Sequence, residues 1–319
     1  MRAGSMIAPL ISWFWMLFAA PAVAAVATQG PWIDYSSSGP SRIRDIHGDL
    51  TGEGGSHVRH ATRTFRATLL APIPARLVGG ILIPRVEVSV AQTTVHGSEE
   101  VDAPWLQNRQ VVPIGAIWIP HVAEGSPRWF LMGMRHGSLA TKNTTAPMGE
   151  WIVGGDLEQT WPRLHHTDIS RTRLLLRYRK FPHGDRWLPV AEHHIARANG
   201  TFVTLGLPTG VTGGWQTADL GFVWTSGIKT TSRAYPIGAP ALGRTWSGPR
   251  VDLWAEGHTV TIFTGLRKRI DGILFGSAEF GAEQESRTLY TESGQKIGTT
   301  QTNFAPWFRI GLETWVDRT

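Results

Sequence analysis

The segment Ser170 to Phe181, "SRTRLLLRYRKF", limits what this chain can fold into more than any other. Arg171, Arg173, Arg177 and Arg179 fall on alternate positions, Thr172, Leu174, Leu176 and Tyr178 fill the positions between, and only Leu175 breaks the rule. Alternate side chains of an extended strand point to opposite faces. The pattern therefore predicts a strand with one basic and one apolar face. A helix would also gather Leu174, Leu175, Tyr178 and Phe181 on one side. The strand is the reading adopted here, because the segment lacks Ala, Glu and Gln, has β-type neighbours and runs into the Pro and Gly turn of "FPHGD".

The same period of two recurs along the chain. Leu274, Gly276, Ala278, Phe280 and Ala282 oppose Ser277, Glu279, Gly281 and Glu283; Phe308, Ile310 and Leu312 oppose Arg309, Gly311 and Glu313; Val86, Val88 and Val90 oppose Arg85, Glu87 and Ser89. Two further runs, Val260 to Arg267 and Asp219 to Trp224, follow the rule, and less regular ones lie at His60–Leu70, Val111–Pro120, Arg128–Leu139, Thr201–Leu207 and Arg250–Gly257. Separated by Gly, Pro, Asn and Asp clusters, these predict an all-β chain of about ten to fourteen strands.

A soluble β-sandwich alternates too, with its apolar face turned inward. What favours a membrane barrel is that charges of both signs sit in the middle of long strands, opposite a face of Leu, Val, Ile, Phe, Gly and Ala. A transmembrane barrel turns the apolar face to lipid and the polar face to its lumen. An arginine facing lipid at mid-bilayer costs about 2 to 4 kcal/mol, so the arginines of the opening segment would together add roughly 8 to 16 kcal/mol. A typical protein is stable by only about 5 to 15 kcal/mol. Arg171, Arg173, Arg177 and Arg179 are therefore expected to face the lumen, with Glu279, Glu283, Arg309 and Glu313; Glu87, Asp219 and Asp252 are further interior carboxylates. The arginine ladder has two roles open to it: favouring anions in a pore, or pairing with interior carboxylates to fill a narrow barrel.

The N-terminus reads as an export signal, residues 1–27: Arg2, an apolar run from Ile7 to Ala20, and the Ala-x-Ala sites Ala22–Ala24 and Ala25–Ala27. Residues 28–57, rich in Gly, Ser, Asp and Pro, are expected to form a flexible leader, and 58–319 a single antiparallel transmembrane β-barrel domain in the outer membrane of a Gram-negative cell. The net charge of +6 falls to +5 once Arg2 leaves with the signal, and Lys and Arg are scattered, so no nucleic-acid partner is expected. Cysteine is absent, which excludes a disulfide scaffold and thiolate metal sites. Trp129, Trp224, Trp307 and Trp315 fall at strand ends and suit an interfacial girdle. "LPTGVTGGWQTADL" reads as a short connection between Thr201–Leu207 and Ala218–Trp224, whereas 140–168 and 284–302 read as longer outer loops.

The run "TRLLLRYRKF", then "FVTLGLPTGVTGGWQTADLGFVW", "VDLWAEG" and "ILFGSAEFGAE", resembles an uncharacterised bacterial outer-membrane β-barrel family, domain of unknown function 6268, over roughly 130–315. The resemblance implies a barrel without assigning an activity or catalytic residues. One departure is that Trp315 is followed by Val316, Asp317, Arg318 and Thr319, where outer-membrane proteins commonly end on an aromatic.

Chemistry finds little local support. His165–His166 and His193–His194 are adjacent pairs whose side chains diverge on a strand, so neither pair forms a metal site alone. "GLPTGVTGG" lacks the Gly-Lys-Ser/Thr ending of a phosphate loop. No G-x-S-x-G elbow or H-E-x-x-H motif occurs. The expectation is a non-enzymatic outer-membrane protein without metal or cofactor, a pore or binding protein for small solutes, with outer-membrane lipid and the barrel-assembly machinery as partners. The alternatives are a secreted or periplasmic β-sandwich that binds a ligand, and a lipid-active barrel enzyme.

Overall fold

The computed structural model describes residues 29–47, 59–70, 73–74, 81–96, 109–119, 128–137, 148–161, 168–181, 184–217, 221–237, 253–291 and 293–315. In chain order the strands are β1 (Gln29–Ser38), β2 (Ser41–His47), β3 (Arg59–Leu70), β4 (Ile73–Pro74), β5 (Ile81–His96), β6 (Arg109–Ile119), β7 (Arg128–Gly137), β8 (Met148–Trp161) and β9 (Asp168–Phe181). They continue as β10 (Gly184–Ala196), β11 (Thr201–Leu207), β12 (Gly210–Gln216), β13 (Phe222–Ile237), β14 (Leu253–Asp271), β15 (Leu274–Thr291), β16 (Lys296–Thr302) and β17 (Ala305–Trp315). All of them join one antiparallel sheet.

That sheet closes on itself. β1 pairs with β17 from Gln29–Trp315 to Ser38–Trp307, and with β3 from Trp32–Thr68 to Ser37–Arg63. Three of the seventeen segments continue another: β2 extends β1 along β3 beyond Gly39–Pro40, β4 extends β3 along β5, and β16 leads into β17 along β15. Fourteen staves remain, at the upper end of the expected number. Closure satisfies the backbone groups that an open edge would expose to lipid.

The faces have the phase expected of a membrane barrel. Leu174 is 62% exposed on the outer wall, Ile310 52% and Phe280 60%, while Asp34 is 2% exposed and Arg179 6%. A sandwich buries its apolar side chains and hydrates its charges; this molecule does the reverse, and the sandwich alternative is set aside. Leu175, the uncharged position between Arg173 and Arg177 in the inner row, is half-buried opposite Val190 and Gly154.

The wall is irregular at one place. The hairpin β11–β12 is short: β11 pairs with β10 over Ala191–Ala196, and β12 with β13 over Val223–Lys229. Residues 184–190 of β10 and 230–237 of β13 extend beyond it without pairing with β11 or β12. Side chains bridge instead. Arg179 donates from Nη1 to Ser232 Oγ and from Nη2 to the Ser232 carbonyl, both at 2.9 Å. Arg186 meets Glu256 at 3.2 Å, Tyr290 Oη donates to the same carboxylate at 3.5 Å, and Thr230 Oγ1 donates to the Pro208 carbonyl at the hairpin tip.

Several sequence expectations are corrected. The flexible leader, 28–57, instead supplies β1 and β2, the stave that closes the ring; residues 48–57 and the signal lie outside the described residues. The supposed loop 140–168 contains β8, the supposed loop 284–302 contains the end of β15 and all of β16, and the connection after Leu207 contains β12. The shared cause is that β2, β16 and the far half of β15 carry mostly polar side chains, with only isolated inward apolar ones such as Ile43 and Leu289, so no apolar alternation marks them, and Gly-rich β8 and β12 dilute it.

Candidate functional site

The lumen is organised by a chain of alternating charge. Asp34, on β1, has a side chain 1% exposed and accepts from Arg66 Nε on β3 at 3.1 Å and from Arg309 Nη2 on β17 at 3.4 Å. Arg309 reaches Glu279 on β15 at 3.6 Å, and Glu279 takes Lys229 Nζ of β13 at 2.6 Å. These contacts follow from register: Asp34 is the direct cross-strand partner of Arg66, and Glu279 that of Arg309. Opposite charges directly across a ladder attract, and here the low exposure strengthens them.

One intervening position has to be small for the chain to continue. Gly265 of β14 stands opposite Glu279, and a Cβ there would lie 2.8 Å from Glu279 Cγ. Lys229 also stands over the rings of Phe263 and Trp307, at 4.3 and 4.9 Å. Trp307 is therefore a lumen residue, 7% exposed, and not part of an outer girdle. Its place follows from phase, since it shares the inner row of β17 with Arg309 and Glu313. Trp224 does lie on the outer wall, 42% exposed. The side chains of Trp129 and Trp315 are outside the described set.

Beside the charged chain lies a polar cavity of about 310 Å³, lined by hydroxyls of Ser36, Thr62, Thr64 and Ser89 and by Arg66, Lys229, Arg309 and Glu283. Toward the end where β1 begins and β17 ends, Phe275 is buried, 1% exposed, with Arg267 and Arg269 over its ring at 5.2 and 5.3 Å. Arg267 also meets Glu313 at 3.8 Å.

The expected site residues thus divide. Glu279, Arg309 and Glu313 join ion pairs on the β13–β17–β1–β3 side, and Glu283 lines the cavity there. Arg171, Arg173, Arg177 and Arg179 belong to β9, seven staves from β17 and so half-way round the ring. On that side Arg173 meets Glu192 at 3.6 Å and Arg179 ties into the β13 seam. Asp34, Arg66, Lys229 and Glu192 are functional candidates that sequence reasoning missed. Asp34 had a readable signal, the alternation Ile33, Tyr35 against Asp34, Ser36, hidden in a segment whose composition suggested a leader. Glu87, also expected inside, is buried beside Arg85 at 3.0 Å; Asp219 and Asp252 lie outside the described residues. His193 and His194 bond Thr172 and Thr204 separately, at 3.0 and 2.8 Å.

No family model matches the chain, and no curated protein does. Among solved structures the chain is similar to the COG4313 outer membrane channel from Pseudomonas putida F1, with 8% identity over 92% of this chain and 99% of that one and a TM-score of 0.41. It is similar also to the beta domain of a Bordetella autotransporter, with 10% identity over 91% and 100% and a TM-score of 0.34. A third is OmpT of Vibrio cholerae, with 10% identity over 93% and 100% and a TM-score of 0.24.

Proposed function

We propose that the chain is an outer-membrane channel for small, negatively charged solutes, passive and without catalysis. One observation carries the reading: the inner row of β9, Ile169 to Arg179, presents four arginines and no carboxylate of its own, across the lumen from a network in which acids and bases alternate. The alternating side holds the barrel together; of the basic row, Arg173 also pairs with Glu192 and Arg179 closes the β13 seam, and it is the half-exposed Arg171, Arg173 and Arg177 that face what passes. Outer-membrane lipid and the barrel-assembly machinery are the other partners in this reading, and membership of the domain of unknown function 6268 family is proposed with it on strand and turn texture.

Planar bilayers test the role. A charge about 4 Å from a passing ion contributes about 1 kcal/mol at the dielectric of water. Under a KCl gradient the wild type is expected to reverse on the anion side, and Arg173→Ala with Arg177→Ala to lower the anion-to-cation preference several-fold. No conductance, or a reversal potential unmoved by the double substitution, would count against an arginine-lined path.

A further inference from the structure

The lumen arginines Arg66, Arg85, Arg173, Arg179, Arg267 and Arg309 each have an acid, hydroxyl or aromatic partner. Among the described residues, the outer wall carries three arginines on β2 and β3 that do not. Arg42 of β2 and Arg59 and Arg63 of β3 are exposed, and none of their side chains has a hydrogen-bond or ion-pair partner among the described residues. Arg42 and Arg59 are direct cross-strand partners. Side chains so placed start about 5 Å apart, and like charges there repel. Arg63 follows Arg59 on the same face, roughly 13 Å along the strand.

Their level on the barrel is informative. Running up the outer face of β3 from the end where the chain termini lie, Leu69, Ala67 and Phe65 come first, then Arg63, Ala61 and Arg59. The neighbouring stave changes at the same height: Tyr35 stands opposite Phe65, and Ser37 opposite Arg63. Leu69 and Phe65 are 66% and 43% exposed, as lipid-facing side chains are. The switch from apolar to basic marks the upper edge of the hydrocarbon layer. Above that edge the surroundings of an outer wall are headgroups.

We infer that Arg42, Arg59 and Arg63 form a binding site for the phosphate-bearing headgroup of an outer-leaflet glycolipid, an inference that rests on the outer-membrane reading. A phosphate between Arg42 and Arg59 turns their repulsion into two charge-assisted hydrogen-bond sets, the pairing for which the guanidinium fork is suited. Arg63, at the boundary, can lay its stem along the apolar wall and raise its charge to the same headgroup layer.

The test is a titration of the detergent-purified protein with phosphorylated lipopolysaccharide and with its dephosphorylated form. A hydrogen bond to a charged group contributes enough that losing one weakens binding roughly tenfold. Arg42→Gln with Arg59→Gln is expected to weaken binding of the phosphorylated form by at least about tenfold, while the dephosphorylated form binds wild type and variant alike. Equal binding of the phosphorylated form overturns the inference, and so does its displacement by an equal concentration of inorganic phosphate, which would mean a free-anion site. Retention of the heat-dependent gel shift shows that the variant is folded, and Arg63→Gln, remote from the β2–β3 pairing, gives a second reading with a weaker loss expected. Cell fractionation answers the localisation separately: recovery in the periplasm would overturn the outer-membrane reading without altering the titration.

Discussion

Asp34→Asn is expected to cost the barrel about 3 to 5 kcal/mol, the usual consequence of removing one partner from a buried ion pair. The carboxylate is 1% exposed and takes both Arg66 and Arg309, whose side chains are only 20% and 22% exposed. It also accepts from Trp32 Nε1 at 3.0 Å. Asparagine keeps the shape and loses the charge, leaving two guanidinium groups facing each other across the stave on which the ring closes. Urea unfolding of the refolded protein in liposomes, followed by tryptophan emission, measures the loss. Adding Arg66→Gln should restore part of it, because one stranded cation is then gone. A loss below about 1 kcal/mol would mean that solvent in the lumen screens the network and that it does not hold the wall.

A second large effect is expected one residue from a native arginine. Arg309 faces the lumen, and Ile310 beside it is 52% exposed between Phe308 and Leu312 on the outer wall. Ile310→Arg places the same charge against lipid, at a cost of about 2 to 4 kcal/mol near the bilayer centre and little at its edges. The same unfolding experiment reads it, together with reduced assembly in cells. Full stability in the variant would place that face in water and return the sandwich to consideration.

The sequence was most legible where the bilayer imposes two solvents on one strand. In β9, β15 and β17 the alternation assigns each residue a side, and the exposures run the same way: Leu174, Phe280 and Ile310 are exposed, whereas Glu279, Arg309 and Glu313 are drawn into ion pairs. Legibility failed where that constraint stops. β2 and β16 continue the wall above the apolar belt, where the outer face is no longer a run of apolar residues and only isolated ones such as Ile43 turn inward, so no alternation in "SRIRDIH" or "KIGTTQT" distinguishes a strand from a loop. The partners within the lumen were also hidden. Phase alone puts Glu279 inside, but only register brings it opposite Arg309, and only the small Gly265 lets it run on to Lys229. Trp307 shows the opposite hazard: its position at a strand end suggested a girdle, whereas its parity with Arg309 puts it in the lumen.

Phase is therefore the claim on which the rest depends, and the absence of cysteine from the chain makes it directly measurable. Single cysteines placed at each position from Arg171 to Tyr178, in protein reconstituted into liposomes, can be challenged with a membrane-impermeant, water-soluble thiol reagent. Labelling is expected at 171, 173, 175 and 177 and protection at 172, 174, 176 and 178. Labelling that is uniform, or strong at 172, 174, 176 and 178 and weak between them, would contradict a lumen-facing arginine row and the barrel function built on it.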